Sequence, residues 1–345
     1  MRHPPSPCRT RGFSLIELLV GIVVAMAAVV IVMQVFKVSE NQRRGTTGGD
    51  DAQTTGAIAL SQLQRDLRQA GQGFMTPHLL DCQVNLGNGR SLPKLAPVII
   101  NAAGIPEGDD NTDTLLISYG SAWGSPEGQA IITQSGPAAY EVAAPNAFQL
   151  GDRVIATPAS RVDPCTLDLT SLSAAPSGNT INVTLGTANV ANGTLYTLGR
   201  TPRFVAYAVR SGRLTMCDFL TQDCTSADPD NWPEIADNIV SLRAEYAQDT
   251  SATRDAAADG YDQTTASTWC GWSRTVGVRL ALVARSRQPE AADIPGATAP
   301  TWAGGASTPI TPPGDDWKHY RYKTFETTVP LRNTPGAAET AFSSC

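Results

Sequence analysis

A single carboxylate interrupts the long apolar run near the N-terminus of this chain. From Phe13 to Phe36 every residue is uncharged except Glu17. An acidic side chain in a hydrocarbon layer costs about 2.5–3.5 kcal/mol on insertion scales, so an acid in such a run indicates a function and requires a partner. The chemistry that the carboxylate offers is ion pairing with an ammonium group, which is far stronger in a low-dielectric setting than in water.

The element that must position Glu17 is a membrane-spanning helix. The roughly 24 residues from Phe13 to Phe36 would extend about 36 Å as a helix, enough to cross a hydrocarbon layer of about 30 Å. The preceding segment is basic and contains no acid. The positive-inside rule therefore predicts a cytoplasmic N-terminus and an exported remainder. Residues 25–27 have the letters of a signal-peptidase site, but the apolar run continues past them, which argues against cleavage there.

The residues around Glu17 resemble the class III signal of type IV prepilins and pseudopilins. The resemblance is carried by Gly12-Phe13-Ser14-Leu15-Ile16-Glu17 behind a short basic leader. It implies that a prepilin peptidase cleaves after Gly12, that the new terminal Phe13 is N-methylated, and that the apolar helix is retained for assembly. It also implies a partner for Glu17, the terminal amine of a neighbouring subunit. The alternative is an ordinary signal anchor in which Glu17 occurs by chance. That alternative does not explain why Gly12, Phe13 and Glu17 occur at this spacing behind a basic leader.

The cysteines are consistent with export to an oxidising compartment. Seven are present, and Cys8 lies in the leader. The others are an even number, as a disulfide framework requires; they are Cys82, Cys165, Cys217, Cys224, Cys270 and Cys345. We expect Cys217 to pair with Cys224 across a small loop after a hairpin strand. Cys345 is expected to pin the C-terminal tail, with Cys270 as a candidate partner. A metal site lacks the Cys-x-x-Cys spacing that would support it.

No catalytic constellation is apparent in the sequence. Beyond the leader the histidines are His78 and His319, and the chain lacks His-Glu-x-x-His, Gly-x-Ser-x-Gly and Gly-Lys-Ser/Thr motifs. The core chemistry of zinc proteases, esterases and NTPases is therefore missing. We predict that the protein is not an enzyme.

Four aspartates in residues 249–267 are a candidate calcium site. They are Asp249, Asp255, Asp259 and Asp262. Hard oxygen ligands on a loop can hold Ca²⁺, but the spacing does not match the calcium loop with its closing glutamate. A solvated acidic loop is the preferred interpretation, so no cofactor is predicted and calcium is the alternative.

Charge and length exclude other classes of protein. The chain has 345 residues, of which 41% are hydrophobic and 17% charged, and its net charge is −6. Loss of the leader arginines would make the mature chain more acidic still. Because an acidic surface repels nucleic acid, no electrostatic DNA-binding role is expected.

Beyond Phe36 the chain becomes polar and then rich in glycine. Residues 45–56 contain four glycines, each of which costs about 1 kcal/mol relative to Ala in a helix. We therefore predict a frayed or bent segment there. From Ala57 apolar residues return at helical spacing, and Gly71 is the predicted end of the helix. This half should pack its apolar stripe on a sheet, with Asp66 and Arg68 facing outward.

The rest of the chain is predicted to be β-rich. Short alternating or β-branched runs bounded by Gly, Pro and Asp are typical of strands, and they occur at 114–119, 130–134, 140–143, 153–157, 180–185, 195–198, 204–210, 213–217, 239–247, 276–285 and 324–331. Ser211-Gly212 predicts a tight hairpin turn. Residues 87–113, 249–267 and 288–316 are predicted loops, the last long enough to be partly disordered.

Several segments are similar, in their order along the chain, to the PilW group of minor pilins. One of them is residues 63–71, which read Leu-Gln-Arg-Asp-Leu-Arg-Gln-Ala-Gly. The others are residues 151–155, 232–246, 276–286 and 322–333. The resemblance implies an α+β, pilin-like fold, in which a long N-terminal hydrophobic α-helix packs by its second half on a C-terminal antiparallel β-rich globular domain.

The expected domain organisation has four parts. These are a leader (1–12), a transmembrane assembly helix (13–38), a Gly-rich break with the amphipathic helix half (39–71), and a β-rich periplasmic or extracellular domain (72–345). The location implied is the inner membrane, single-pass with a cytoplasmic N-terminus, and then the pilus at the cell surface.

The resemblance implies a minor pilin, a structural component that helps prime type IV pilus assembly at the tip, with consequences for twitching motility and cell adhesion. Its partners would be other minor pilins, the major pilin, a tip adhesin, the prepilin peptidase and the inner-membrane assembly machinery. Two alternatives stay open. One is a J-like pseudopilin of a type II secretion system; the other is a membrane-anchored periplasmic enzyme, which would leave Glu17 without a role.

Overall fold

A long helix and three β-sheets make up the described part of the protein, a computed structural model covering residues 14–87, 89–121, 127–290 and 292–333. Helix α1 (Leu15–Gln69) has 55 residues and is about 80 Å long at 1.5 Å per residue. Helix α2 (Trp269–Arg274) is a short turn before a long strand. Within the described residues, single-turn 3-10 helices lie at Pro145–Ala147, Pro229–Asn231 and Trp317–His319.

The strands follow α1 in the chain. They are β1 (Gln83–Gly87), β2 (Arg90–Leu92), β3 (Val98–Ile100), β4 (Leu115–Tyr119), β5 (Gln129–Gly136), β6 (Ala139–Val142), β7 (Arg153–Thr157), β8 (Thr166–Ser171), β9 (Thr180–Asn182), β10 (Thr194–Gly199), β11 (Arg203–Arg210), β12 (Arg213–Asp218), β13 (Glu234–Ala236), β14 (Ile239–Gln248), β15 (Gly260–Asp262), β16 (Thr275–Arg285) and β17 (Tyr322–Pro330). The sheets have the orders β2-β1-β8-β7-β10-β5-β6-β9, β13-β12-β11-β4-β3 and β15-β14-β16-β17. The pair β1–β8 is parallel, whereas the long C-terminal pairs β14–β16 and β16–β17 are antiparallel.

The main core lies where α1 meets the two smaller sheets. Helix α1 contacts β4, β13, β16 and β17. Its buried side chains share one apolar cluster with Tyr207 of β11 and Leu280 of β16, while a second cluster around Tyr140 lies in the eight-stranded sheet. The predicted fold class is therefore confirmed: a long N-terminal helix packs by its second half on a β-rich, largely antiparallel domain.

Each predicted strand overlaps a strand of the structure, and the predicted hairpin turn is confirmed by positive φ angles at Ser211 (52°) and Gly212 (69°). The sequence missed β1, β2, β3, β8, β13 and β15. Four of these have three residues each. A strand that short is held by packing against its neighbours and carries no period of its own.

The long loop between β16 and β17 is partly anchored. Trp302 and Ile310 are buried against Val240, Ala281 and Val283 on the outer face of the C-terminal sheet. The indole N–H of Trp302 also donates to the carbonyl of Thr308 at 2.6 Å. These contacts fix residues 302–310, which lie in the predicted loop 288–316.

Helix α1 runs without interruption through residues 45–56, so the predicted frayed or bent segment is wrong. The reason is packing against the C-terminal sheet. A Cβ atom on Gly48 would lie 3.0 Å from the Cβ of Ser286, and one on Gly56 would overlap the ring of Phe325. Ala52, between them on the same face, is 2% exposed. The glycines therefore allow a close approach of helix and sheet, and this tertiary contact outweighs their low helix propensity.

Asp66 faces the domain, so its predicted outward orientation is wrong, whereas Arg68 is exposed as predicted. Asp66 is 3% exposed. Tyr119 of β4 donates to its carboxylate at 3.0 Å, and Tyr207 of β11 donates a second, short hydrogen bond. Burial, reinforced by the charge of Asp66, raises the pKa of both tyrosine hydroxyls. They therefore stay protonated and act as donors to the carboxylate.

The C-terminal end of α1 is held by a residue that follows β17. Ala70 caps the helix and Gly71 adopts a positive φ of 84°, in agreement with the predicted stop. The side-chain amide of Asn333 donates to the carbonyls of Gln69 and Ala70, each at 3.1 Å. The residues after β17 thus satisfy carbonyls that a helix end leaves without intrahelical donors.

We expect alanine at two neighbouring glycines of α1 to have opposite effects on stability. A Cβ on Gly49 would meet nothing within 4 Å, so Gly49→Ala should raise the free energy of unfolding by up to about 1 kcal/mol through helix propensity. Gly56→Ala should lower it by roughly 1–3 kcal/mol, because the methyl group overlaps Phe325. Urea unfolding of the full chain in detergent, followed by tryptophan fluorescence, measures both. A shift of both variants in the same direction would contradict the close-packing argument.

Removal of the Asp66 carboxylate should destabilise the domain. We expect Asp66→Ala to lower the free energy of unfolding by about 2–4 kcal/mol, because two buried tyrosine hydroxyls lose their acceptor. Arg65→Ala is the matched control: Arg65 is exposed on the same turn, and its loss should change stability by less than about 0.5 kcal/mol. The same unfolding experiment compares the two, and equal effects would refute a special role for Asp66.

Candidate assembly helix

The first half of α1 is apolar and uncovered. Residues Leu15–Lys37 have a mean hydropathy of 3.0, and this segment is not buried by the described part of the protein. Exposure ranges up to 78% at Leu15 and is 70% at Phe36. Leaving apolar surface in water costs about 25 cal/mol per Å², so this half requires lipid or other helices around it. It is the candidate membrane anchor among the described residues.

Glu17 lies in the first turn of this helix. Its carboxylate accepts a hydrogen bond from the backbone N–H of Ser14 at 3.3 Å, and the N-terminal end of a helix favours negative charge. The ion pairs found among the described residues do not include Glu17. The carboxylate is therefore placed where a cation from another chain could approach it. Gly12 and Phe13, the predicted cleavage and methylation residues, lie outside the described residues.

Small residues share a helix face with Glu17. At about 100° per residue, positions 14–28 of an α-helix place Ser14, Glu17, Gly21, Ala25 and Ala28 within an arc of about 80°. A Cβ on Gly21 would meet nothing within 4 Å. Small side chains allow two helices to approach closely in lipid. We call these five residues the small face; a helical projection of the sequence contains this signal, although the composition and motifs alone did not reveal it.

Two disulfides are present in the described part of the domain. Cys217 is bonded to Cys224, the pair expected from the sequence, and Cys82 is bonded to Cys165. The second bond joins residues 83 apart in the sequence, immediately before β1 and β8. Cys270 is also disulfide-bonded. Its candidate partner Cys345 lies outside the described residues.

The Asp-rich loop uses its carboxylates to hold its own backbone. Asp249 is 1% exposed and accepts hydrogen bonds from the N–H groups of Ser251, Asp255 and Ala256. Asp259 accepts from the loop backbone in the same way. Across the described ranges, no group of three or more His, Cys, Asp or Glu side chains could hold a metal ion. The structure therefore does not assemble Asp249, Asp255, Asp259 and Asp262 into a calcium site.

The fully buried carboxylate of Glu245 on β14 holds neighbouring elements of the domain together. Glu245 pairs directly across the sheet with Arg279 of β16, whose guanidinium lies 3.7 Å from the ring centroid of Tyr261. Ser307 and Thr308 of the anchored loop donate to the same carboxylate at 2.6 and 3.3 Å. These partners satisfy the buried charge and fasten the loop to the sheet, so the group is a structural clamp.

A comparison with protein families identifies the C-terminal part of the chain. Residues 206–333 match the family described as Type IV Pilus-assembly protein W, or PilW. The matched residues begin in β11 and include the whole sheet on which α1 packs through its glycines. No curated protein matches the chain.

A comparison with solved structures finds a type IV-like pilin from Thermus thermophilus. The two chains are 11% identical with a TM-score of 0.32, and the match covers 81% of this chain and 96% of the pilin.

The fold and the family comparison agree with the predicted resemblance to the PilW group. A candidate membrane-anchor helix continues into a β-rich domain, and that domain carries the family match. The family concerned is a structural one that serves type IV pili. The predicted resemblance is therefore confirmed: residues 206–333 of the chain match the family described as Type IV Pilus-assembly protein W.

Proposed function

We propose that the protein is a minor pilin that helps prime type IV pilus assembly at the pilus tip. The observation that carries this proposal is the continuity of α1. One helix is an uncovered apolar rod with a single carboxylate over Leu15–Lys37, and its second half packs on a sheet of the PilW-matching region. Such a helix suits a subunit that passes from a membrane into a fibre, because both surroundings bury its apolar surface.

In this proposal Glu17 receives the methylated terminal amine of Phe13 from a neighbouring subunit. Water is excluded between packed helices, so an ion pair there is stronger than at a protein surface. A carboxylate left without its partner in such a place is costly, which makes the contact selective for a correctly placed neighbour. The small face supports a close approach of the neighbouring helix at this point.

The proposed topology follows from the charge and hydropathy of the N-terminal region. Residues 1–12 form a cytoplasmic leader that is removed, and residues 13–38 cross the inner membrane once. The β-rich domain, residues 72–345, is then periplasmic before it is carried to the cell surface on the pilus. The disulfides Cys82–Cys165 and Cys217–Cys224 support delivery to an oxidising compartment.

The proposed partners are those of a tip-associated pilin. They are other minor pilins, the major pilin, a tip adhesin, the prepilin peptidase and the inner-membrane assembly machinery. A priming role requires few copies per fibre, and absence of the protein should reduce piliation, twitching motility and pilus-dependent adhesion.

A J-like pseudopilin of a type II secretion system is the alternative that the N-terminal residues also support. The PilW match over residues 206–333 favours the pilus. A deletion strain separates the two functions: lost piliation with normal enzyme secretion supports the minor pilin, and blocked secretion with normal piliation supports the pseudopilin. A membrane-anchored periplasmic enzyme finds no support in the described clusters of acidic residues, because their partners are structural.

Mass spectrometry of the protein from membranes should find N-methylphenylalanine at position 13 as the first residue. Cleavage after Gly12 removes the basic leader and creates the amine that the assembly contact requires. Gly12→Val, which places a branched side chain at the cleavage position, should leave the unprocessed chain in the membrane. A mature protein that begins at any other residue would refute the proposal.

Replacement of Glu17 should block assembly without unfolding the domain. Loss of a buried ion pair of this kind costs about 3–5 kcal/mol, so Glu17→Ala should reduce surface piliation at least tenfold, as counted by electron microscopy. Glu17→Asp keeps the charge and should retain part of the piliation, and Asp51→Ala, an exposed acid further along α1, should have no effect. Normal piliation by Glu17→Ala, at normal protein levels, would contradict the assigned role.

A further inference from the structure

We propose that the outer edge of β17 binds an extended segment of another protein, which joins the C-terminal sheet as an added strand. β17 is the last strand in the order β15-β14-β16-β17, and it has nine residues. The other edge strands of the described sheets have three residues each; they are β2, β3, β9, β13 and β15. Short edges are one way in which proteins avoid pairing with other chains. The long edge of β17 is the exception.

Hydrogen bonds at the two ends of β17 show which of its backbone groups face outward. The N–H of Ser286 donates to the carbonyl of Arg321 at 2.8 Å, and the N–H of Leu331 donates to the carbonyl of Val276 at 3.0 Å. The register between these two points is unbroken. In an antiparallel pair, residues that bond the partner strand alternate with residues that do not. The odd-numbered residues of 321–331 therefore bond β16, and the even-numbered ones turn away from it.

The outward positions of β17 are Tyr322, Thr324, Glu326, Thr328 and Pro330. The first four direct both an N–H and a C=O away from β16, whereas proline is tolerated at an edge because it has no N–H to offer. Within the described ranges no other strand pairs with these groups. The groups repeat about every 6.8 Å along the strand. Another extended backbone carries donors and acceptors at the same repeat, so a peptide strand is the ligand that complements them.

A cleft of about 680 Å³ adjoins the first part of this edge. Its lining comes from residues 49–53 of α1, from residues 294–301 and from the beginning of β17. Phe325 faces α1. Because side chains alternate across a strand, Lys323 lies on the α1 side and Tyr322 on the opposite side. The cleft therefore extends around the edge from one face of the sheet to the other, which provides space for the side chains of an added strand.

The side chains around the cleft define the chemistry of the bound segment. Trp317 and Tyr322 are half-buried aromatic residues of the lining, and their surface fits an apolar side chain. Asp50 and Lys323 are exposed residues of the same lining, and they favour a polar or charged side chain. The bound segment is therefore an extended one in which apolar and polar residues alternate, as pockets for alternate side chains require.

A second copy of this chain does not fit this edge. Gly48 of α1 lies against Ser286, beside the start of β17, and Asn333, after the end of β17, contacts the C-terminal end of α1. Helix and strand therefore run in the same direction. Antiparallel pairing of two β17 strands would direct the two apolar anchors oppositely, which a shared membrane prevents. Parallel pairing would bring one α1 against the loop around Trp302 of the other copy, because paired strands are about 4.8 Å apart and a helix is about 10 Å wide.

Amide hydrogen exchange of the purified full chain in detergent tests the assignment of the edge. The N–H of Thr327 bonds β16, whereas those of Thr324 and Thr328 face outward. We expect the two outward amides to exchange at least about tenfold faster than that of Thr327. Equal rates at the three positions would overturn the proposal.

Photo-cross-linking in the cells that produce the protein tests for the bound segment. The photoreactive residue p-benzoylphenylalanine replaces Thr328 in the full chain, and the product is mapped by mass spectrometry. We expect a cross-link to one segment of another protein, with alternating apolar and polar residues. The same replacement at Thr133, an exposed residue of the inner strand β5, is the control and should not give this product.

Thr324→Pro decides whether the cross-link depends on strand pairing. It removes an outward N–H and places the proline ring where the added strand approaches, but it leaves the bonds to β16 intact. The cross-linked fraction should fall at least about tenfold, with the urea midpoint of unfolding unchanged. Thr324→Ala keeps the N–H and should cross-link as the unaltered chain does. If Thr324→Pro does not accumulate, Thr328→Pro with the photoreactive residue at position 324 replaces it.

Three outcomes overturn the proposal. They are no cross-link from position 328, a cross-link to a second copy of this chain, and equal cross-linking by the proline and alanine variants. None of these readouts depends on the presence of pili, so the result is independent of the proposed function.

Discussion

The close contact between α1 and the C-terminal sheet is the constraint on which the rest of the structure depends. Phe325 fills the space over Gly56, and Ser286 lies against Gly48, so the helix approaches the sheet with almost no helix side chain between them. Each glycine weakens the helix by about 1 kcal/mol in isolation. The packing that glycine permits offsets this loss, and the helix continues unbroken into its uncovered half.

Distance and rotation of the helix are set by different interactions. The glycines determine how closely α1 approaches the sheet, but an apolar surface allows many rotations about the helix axis. Asp66 limits these, because its buried carboxylate is satisfied only when Tyr119 and Tyr207 both face it. The domain therefore holds α1 in one orientation, and with it the direction in which Glu17 and the small face point.

The carboxylates discussed above are of two kinds, those buried in the domain and the exposed one on the apolar helix. In the domain, Glu245, Asp249 and Asp66 are buried and bonded to nearby backbone, hydroxyl or guanidinium groups, so they stabilise a rigid body. Glu17 is exposed on an apolar helix and accepts a hydrogen bond from the backbone N–H of Ser14. This difference fits a subunit whose domain satisfies its own buried polar groups when it folds, and whose apolar helix is covered by neighbouring subunits.

The sequence by itself determined the features that depend on neighbouring residues. These are the apolar rod, its single acid Glu17, the strands with a clear period, the Ser211-Gly212 turn and the short Cys217–Cys224 loop. Tertiary structure decided the continuity of α1 through its glycines, the inward orientation of Asp66, the Cys82–Cys165 pairing and the shortest strands. The physical reason is separation along the chain: Asp66 and Tyr207 are 141 residues apart, and a contact of that kind leaves no period or spacing in the local sequence from which it could be predicted.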